Sequence, residues 1–194
     1  MPKLYIISGC NGSGKTTASY TLLPDLLDCR QFVNSDEIAK SFSPFDPAAA
    51  SISASRFMVL KINYLLERRE DFAIETTLAT RSLVKIIQEA QAIGYEVTVL
   101  YFWLNSPELA IQRVRDRVAT GGHNIPEPVI RRRYVMGLHY FFHSDVPVTD
   151  RWILADNSKS PFTVVAEGGR HIMYIKDNEK YQLIWSIAHP NEQF

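Results

Sequence analysis

Residues 9–17 read Gly9-Cys10-Asn11-Gly12-Ser13-Gly14-Lys15-Thr16-Thr17, directly after the apolar run Leu4-Tyr5-Ile6-Ile7. That is a G-x-x-x-x-G-K-T phosphate loop with strand-like sequence before it and a helix-compatible stretch, Thr16 to Leu27, behind it. Glycines let such a loop turn its N–H groups inward around a phosphate, and the helix N-terminus adds the positive end of its dipole. Every residue from Gly9 to Thr17 is then a nucleotide-contact candidate. Lys15 would reach the β- and γ-phosphates, and the Thr16 hydroxyl would ligate magnesium. The glycines run G-x-x-G-x-G with a lysine, which excludes a G-x-G-x-x-G dinucleotide turn. The expected ligand is a nucleoside triphosphate. Cys10 reads as a loop filler rather than a reactive thiol.

Other groups with chemistry to offer fall where strands are expected to end. They are Asp36, Glu75-Thr76-Thr77, Asn105 and Asp156-Asn157-Ser158. Ligands of parallel sheets bind outside the C-terminal ends of the strands, so these positions are expected to face one cleft. An alcohol attacking a phosphoryl group needs a base to orient and deprotonate it. Asp36 is the candidate for that role; the alternative is that it caps the helix-like run Asp36 to Lys40. The strand Val97 to Leu104 ends in Leu104-Asn105 rather than in the aspartate that motor and switch proteins use for magnesium. That element is either missing or replaced by Asp36 or Glu75. Six arginines, Arg113, Arg115, Arg117, Arg131, Arg132 and Arg133, flank a Gly121-Gly122-His123 turn. They suit a two-helix lid, spanning about 106–143, that closes over phosphates and stabilises charge on a transferred phosphoryl. Three consecutive helical arginines lie about 100° apart, so they cannot all face one ligand. Spacing alone does not choose among them; Arg117 and Arg133 are named as the catalytic candidates.

Strand-like and helix-like stretches must alternate to position these groups. Strands are expected at Leu4–Ser8, Gln31–Val33, Phe72–Ile74, Val97–Leu104 and Trp152–Leu154. Helices are expected from Thr16 to Leu27, from the Asp46-Pro47 pair to about Arg69, from Thr80 to Gly94, and after Ser106-Pro107. This order argues an α/β fold around a parallel five-stranded sheet. Ile130, Tyr134, Leu138 and Phe141 are spaced as core. Beyond Phe162, the stretches Thr163–Val165, Ile172–Ile175 and Gln182–Trp185 read as a small antiparallel appendage, about 162–194. The whole of 1–194 is expected to form one domain.

Composition limits the function further. Lys plus Arg equals Asp plus Glu at 21 each, which supplies no basic field for DNA or RNA, so nucleic acid is not an expected partner. No apolar run approaches the roughly 18 residues of a membrane span. Neither a signal peptide nor a disulfide framework is expected from the N-terminal sequence and the two cysteines. The expected location is cytoplasmic.

Taken in order, Gly9–Thr17, Asn34-Ser35-Asp36, Phe72–Thr77, Arg117–Pro126 and Asp156-Asn157-Ser158 resemble zeta-toxin-like P-loop kinases, particularly the chromosomal branch, over roughly residues 3–158. The resemblance implies a nucleotide-kinase-like parallel sheet, ATP and Mg2+ as cofactors, and transfer of the γ-phosphate to a sugar hydroxyl of UDP-N-acetylglucosamine. It matches Asp36 to the catalytic carboxylate and Glu75 and Thr77 to substrate-contacting residues; Asn157 is a further nucleotide-contact candidate. The family carries an arginine two residues beyond that threonine; here Ala79 stands there, and Arg81, two positions further, is the substrate-binding candidate. The family's lid arginine before the proline is replaced by Gly121-Gly122-His123. A small-molecule kinase is therefore the leading expectation, with an antitoxin protein as candidate partner. A nucleoside or other metabolite kinase and a non-catalytic ATP-binding module are the rivals.

Overall fold

The structure, a computed structural model, describes residues 1–78, 82–122 and 124–190. Its centre is a seven-stranded sheet in the order β2-β3-β1-β4-β5-β6-β7. The strands are β1 (Lys3–Ser8), β2 (Gln31–Val33), β3 (Phe72–Thr76), β4 (Glu96–Trp103), β5 (Arg151–Asp156), β6 (Thr163–Gly169) and β7 (Met173–Ile175). β1 to β5 pair in parallel, with Ile6 of β1 opposite Ile74 of β3 and Val99 of β4. Fully buried strands need apolar residues on both faces. Leu4, Ile6 and Ile7, with Phe72, Ala73 and Ile74 alongside, meet that condition. β6 returns antiparallel on β5, and β7 pairs with β6, so the sheet is of mixed orientation.

The helices are α1 (Lys15–Thr21), α2 (Ser35–Phe42), α3 (Ser51–Arg68), α4 (Ser82–Ala92), α5 (Pro107–Ala119), α6 (Glu127–Tyr140) and α7 (Asn178–Ala188). Several expected boundaries move. The first helix gives way at Leu22–Leu26 to a π-helical turn containing Pro24, which has no N–H for the α-helical ladder. Asp46 caps only a short turn, its carboxylate accepting from Ala49 N at 3.2 Å, and α3 begins at Ser51. Thr80, the expected start of the helix that runs to Gly94, lies outside the described residues. Ser106 caps α5 as expected, its hydroxyl accepting from Leu109 N with Pro107 behind it.

The third strand expected of the appendage is instead α7. Tyr181, Ile184 and Ala188 are its buried residues, a spacing of three and four that fits a helix and not a strand. Asp177 is its N-cap and accepts from Lys180 N at 3.1 Å. Among the described residues, no helix is long and apolar enough to cross a membrane.

Candidate active site

The phosphate loop follows β1 and closes on α1. Gly14 caps α1 at φ 84°, a left-handed conformation that suits glycine, and a Cβ there would lie 2.4 Å from the Asn157 side-chain nitrogen. Gly9, at φ 137°, passes so close to β4 that a Cβ would meet the Phe102 carbonyl oxygen at 2.3 Å. Asn157 staples the loop from the far side. Its side-chain amide donates to Ser13 O at 2.7 Å and its backbone N–H to Trp103 O at 2.9 Å. Arg113 of α5 braces the same segment by donating to the carbonyls of Asn157 and Ser158.

Lys15 is 6% exposed; its ammonium donates to Cys10 O at 2.9 Å and lies 3.9 Å from Glu75 Oε1. Thr16 donates its hydroxyl to Glu75 Oε2 at 2.8 Å, and Asn34 Nδ2 donates to the same oxygen at 2.8 Å. Glu75 thus ties the loop to the ends of β2 and β3. Burial raises its carboxyl pKa above the ordinary value, opposed by Lys15 and Thr16 and reinforced by the nearby Asp36 and Glu37. A carboxylate and a hydroxyl beside a phosphate site are the oxygen donors that magnesium takes together with substrate phosphates. Among the described residues, no group of three or more His, Cys, Asp or Glu side chains could hold a metal by itself. Burial pushes the Cys10 thiol up to about 11, which fits an inert filler.

Asp36 is not the cap of α2. Asn34 is: its side-chain oxygen accepts from Asp36 N at 2.8 Å and Glu37 N at 3.4 Å. The N-x-x-E pattern of Asn34 to Glu37 is the signal that could have shown this from sequence. Asp36 sits in the first turn, exposed, on the wall of a cleft of about 1150 Å³. Lys15, Thr16, Thr17, Glu75, Thr77, Arg117, Arg133 and Asn157 line that cleft too. Arg81 and His123 lie outside the described residues. Asn105 and Asp156, also expected to face it, do not line it; Asn105 is exposed and the Asp156 carboxylate is engaged elsewhere. Asn105 N donates to Ser158 Oγ, while Asp156 accepts from Ser158 N and pairs with Lys180 at 3.1 Å.

The α6 helix separates its three arginines. Arg131 pairs with Glu108 at 2.7 Å on the surface and Arg132 is exposed. Arg133 reaches across to donate to Asn11 in the phosphate loop at 2.9 Å. Burial lowers the pKa of its guanidinium, and the Asp36 carboxylate opposes that. One turn further along, Gly137 lets α6 press against the sheet, since a Cβ there would lie 2.7 Å from the Tyr101 hydroxyl and 3.0 Å from Thr77 O. The end of β3 is itself held in an uncommon conformation. Leu78 has φ 53° while fully buried, and its N–H is accepted by Thr76 Oγ1 at 3.1 Å. Left-handed backbone at a residue with a side chain costs about 1–2 kcal/mol, and here the buried Leu78 side chain and the Thr76 bond hold it.

The Zeta toxin family model matches residues 1–140. An uncharacterized protein of Haemophilus influenzae is 32% identical over 133 residues, covering 68% of this chain and 92% of its own. The crystal structure of AvrRxo1-ORF1:AvrRxo1-ORF2 with sulphate ions contains a chain that superposes with a TM-score of 0.76 at 18% identity. The match covers 100% of this chain and 65% of that one, so the present chain spans just under two thirds of that relative's length. The same complex with ATP gives 0.73, also at 18% identity. The PezAT chromosomal toxin-antitoxin system of Streptococcus pneumoniae gives 0.66 at 16% identity, over 100% of this chain and 80% of that one. At these identities the structures establish the fold.

Proposed function

The chain belongs to the Zeta toxin family, and on that premise we propose that it is an ATP- and magnesium-dependent kinase acting on a hydroxyl of a small molecule. The observation that carries this reading is the convergence of Lys15, Asp36 and Arg133 on one cleft beside the phosphate loop. A module that only bound nucleotide would need neither a carboxylate for a proton nor a second cation over the loop.

In this mechanism the loop N–H groups and Lys15 hold the β- and γ-phosphates, and Asn157 keeps the loop closed around them. Thr16, oriented by Glu75, would hold magnesium, whose charge neutralises the phosphate oxygens when bound. Asp36 accepts the proton of the acceptor hydroxyl as its oxygen bonds to the γ-phosphorus. The bond from that phosphorus to the bridging oxygen breaks, and ADP leaves with the electron pair. Arg133 and Arg117 stabilise the charge spread over the phosphoryl in flight.

UDP-N-acetylglucosamine, implied by the resemblance, is the first acceptor to try, and nucleosides or other metabolites are the alternative. An antitoxin protein partner and a cytoplasmic location belong to the same reading; the PezAT relative is part of a toxin-antitoxin system. The test is transfer of label from γ-³²P-ATP to UDP-N-acetylglucosamine, nucleosides and polar metabolites. The expected product is a labelled phosphomonoester. ATP bound with no acceptor labelled would favour a non-catalytic nucleotide-binding module.

A further inference from the structure

Two of the six arginines of α5 and α6 are engaged by carboxylates on the surface: Arg115 pairs with Glu127, and Arg131 with Glu108. Arg133 is held differently. Its guanidinium is half-buried in the cleft wall and donates to a neutral amide oxygen, Asn11 Oδ1, at 2.9 Å. An amide oxygen orients a guanidinium and leaves its charge uncancelled, whereas a carboxylate orients and neutralises it together. Both ends of the bond stand on fixed backbone. Beside Arg133, the buried Tyr134 donates its hydroxyl to Leu104 O at 2.7 Å and ties α6 to the chain just past β4. On the loop side, Asn11 is buried between Cys10 and Gly12, and a Cβ on Gly12 would meet Ala110 O of α5 at 2.5 Å. What remains to be fixed between them is the Arg133 side chain itself, long and rich in rotamers. The bond to Asn11 restricts it within the site.

We infer that Asn11 is a positioning residue: its side-chain oxygen aims the Arg133 guanidinium at the phosphoryl group, so that this side chain serves the arginine and not the nucleotide. This rests on the kinase reading, in which Arg133 stabilises charge on the phosphoryl in flight. A cation that acts mainly in the transition state contributes to kcat, and its contribution depends on being in place beforehand. Loss of the Asn11 side chain therefore lowers kcat through Arg133 and leaves the backbone N–H cradle for ATP unchanged.

A double-mutant cycle tests it, with label transfer from γ-³²P-ATP to UDP-N-acetylglucosamine, nucleosides and polar metabolites as the assay. In Asn11→Ala, kcat for the labelled acceptor is expected to fall by roughly 10- to 10²-fold with the KM for ATP unchanged. Arg133→Ala is expected to lose about 10²-fold or more. The double variant should be no slower than Arg133→Ala, because Asn11 has nothing left to position once the guanidinium is gone. Asn11→Ser keeps a polar group in the loop but shortens its reach to Arg133, and it gives the same readouts should the alanine variant not fold. Losses that multiply in the double variant overturn the inference, as does a raised KM for ATP with kcat intact, which would make the Asn11 side chain a nucleotide contact. Unchanged kcat in either folded Asn11 variant, or in Arg133→Ala, overturns it too while leaving the kinase reading in place. The kinase reading fails separately, if the parent labels no acceptor, and the role of Asn11 falls with it.

Discussion

Glu75 shows best how contacts refine a residue's role. Family resemblance matches it to the acceptor, yet its carboxylate takes hydrogen bonds from Thr16 and Asn34 and lies 3.9 Å from the Lys15 ammonium. A threonine that donates its proton to a carboxylate keeps an oxygen lone pair for a metal, which supports the proposal that Glu75 is a positioning residue on the nucleotide side. Glu75→Gln keeps an acceptor for Thr16 and removes the charge. The magnesium concentration for half-maximal transfer is expected to rise by roughly 10-fold, with the acceptor KM unchanged. A raised acceptor KM at unaltered magnesium dependence would return Glu75 to the acceptor side. The nine-residue phosphate loop and the position of Asp36 just beyond β2 were legible because both follow from local residue type and spacing. The Asn11–Arg133 bond was not, since it joins residues 122 positions apart through the packing of α6.

At the scale of elements, α6 positions Arg133 through its close approach at Gly137 and continues into a π-helical turn, Phe141–Asp145. Asp145 in that turn is 1% exposed, its Oδ2 has no hydrogen-bond partner, and burial alone raises its carboxyl to about 7. Between about pH 4 and pH 7 the folded chain therefore holds a proton that the unfolded chain has released. The contribution of Asp145 to stability is fullest at low pH and falls as pH rises through that window. Asp145→Asn carries no such proton. Its melting temperature should exceed the parent's at pH 8, by a stability gain on the order of 1–3 kcal/mol, and the advantage should shrink towards pH 4. Equal pH profiles for the two proteins would show that the Asp145 carboxyl is not buried in this way. The sequence was weakest on elements of this size. Gln182–Trp185 is too short for its apolar spacing to separate strand from helix, and only burial against α6 and β6 makes it part of α7.

At the scale of the molecule, the alternation of strands and helices made the parallel sheet legible, whereas the order β2-β3-β1-β4-β5 is a tertiary fact. That order puts the ends of β2 and β3 beside the phosphate loop and sets Asp36 across the cleft from Arg133, the arrangement on which the kinase reading depends. Asp156 also ends a strand, but its carboxylate is taken up by Ser158 and Lys180. The central claim is that this cleft transfers a phosphoryl group to an alcohol with Asp36 as proton acceptor. Single-turnover transfer to the identified acceptor, in the parent and in Asp36→Asn with magnesium titrated in both, tests it most directly. The asparagine keeps the shape of the side chain and, with Asn34 as the cap, leaves α2 intact. The account predicts a loss of roughly 10²- to 10⁴-fold in the transfer rate with ATP affinity and melting temperature almost unmoved. Full transfer activity in Asp36→Asn would contradict it.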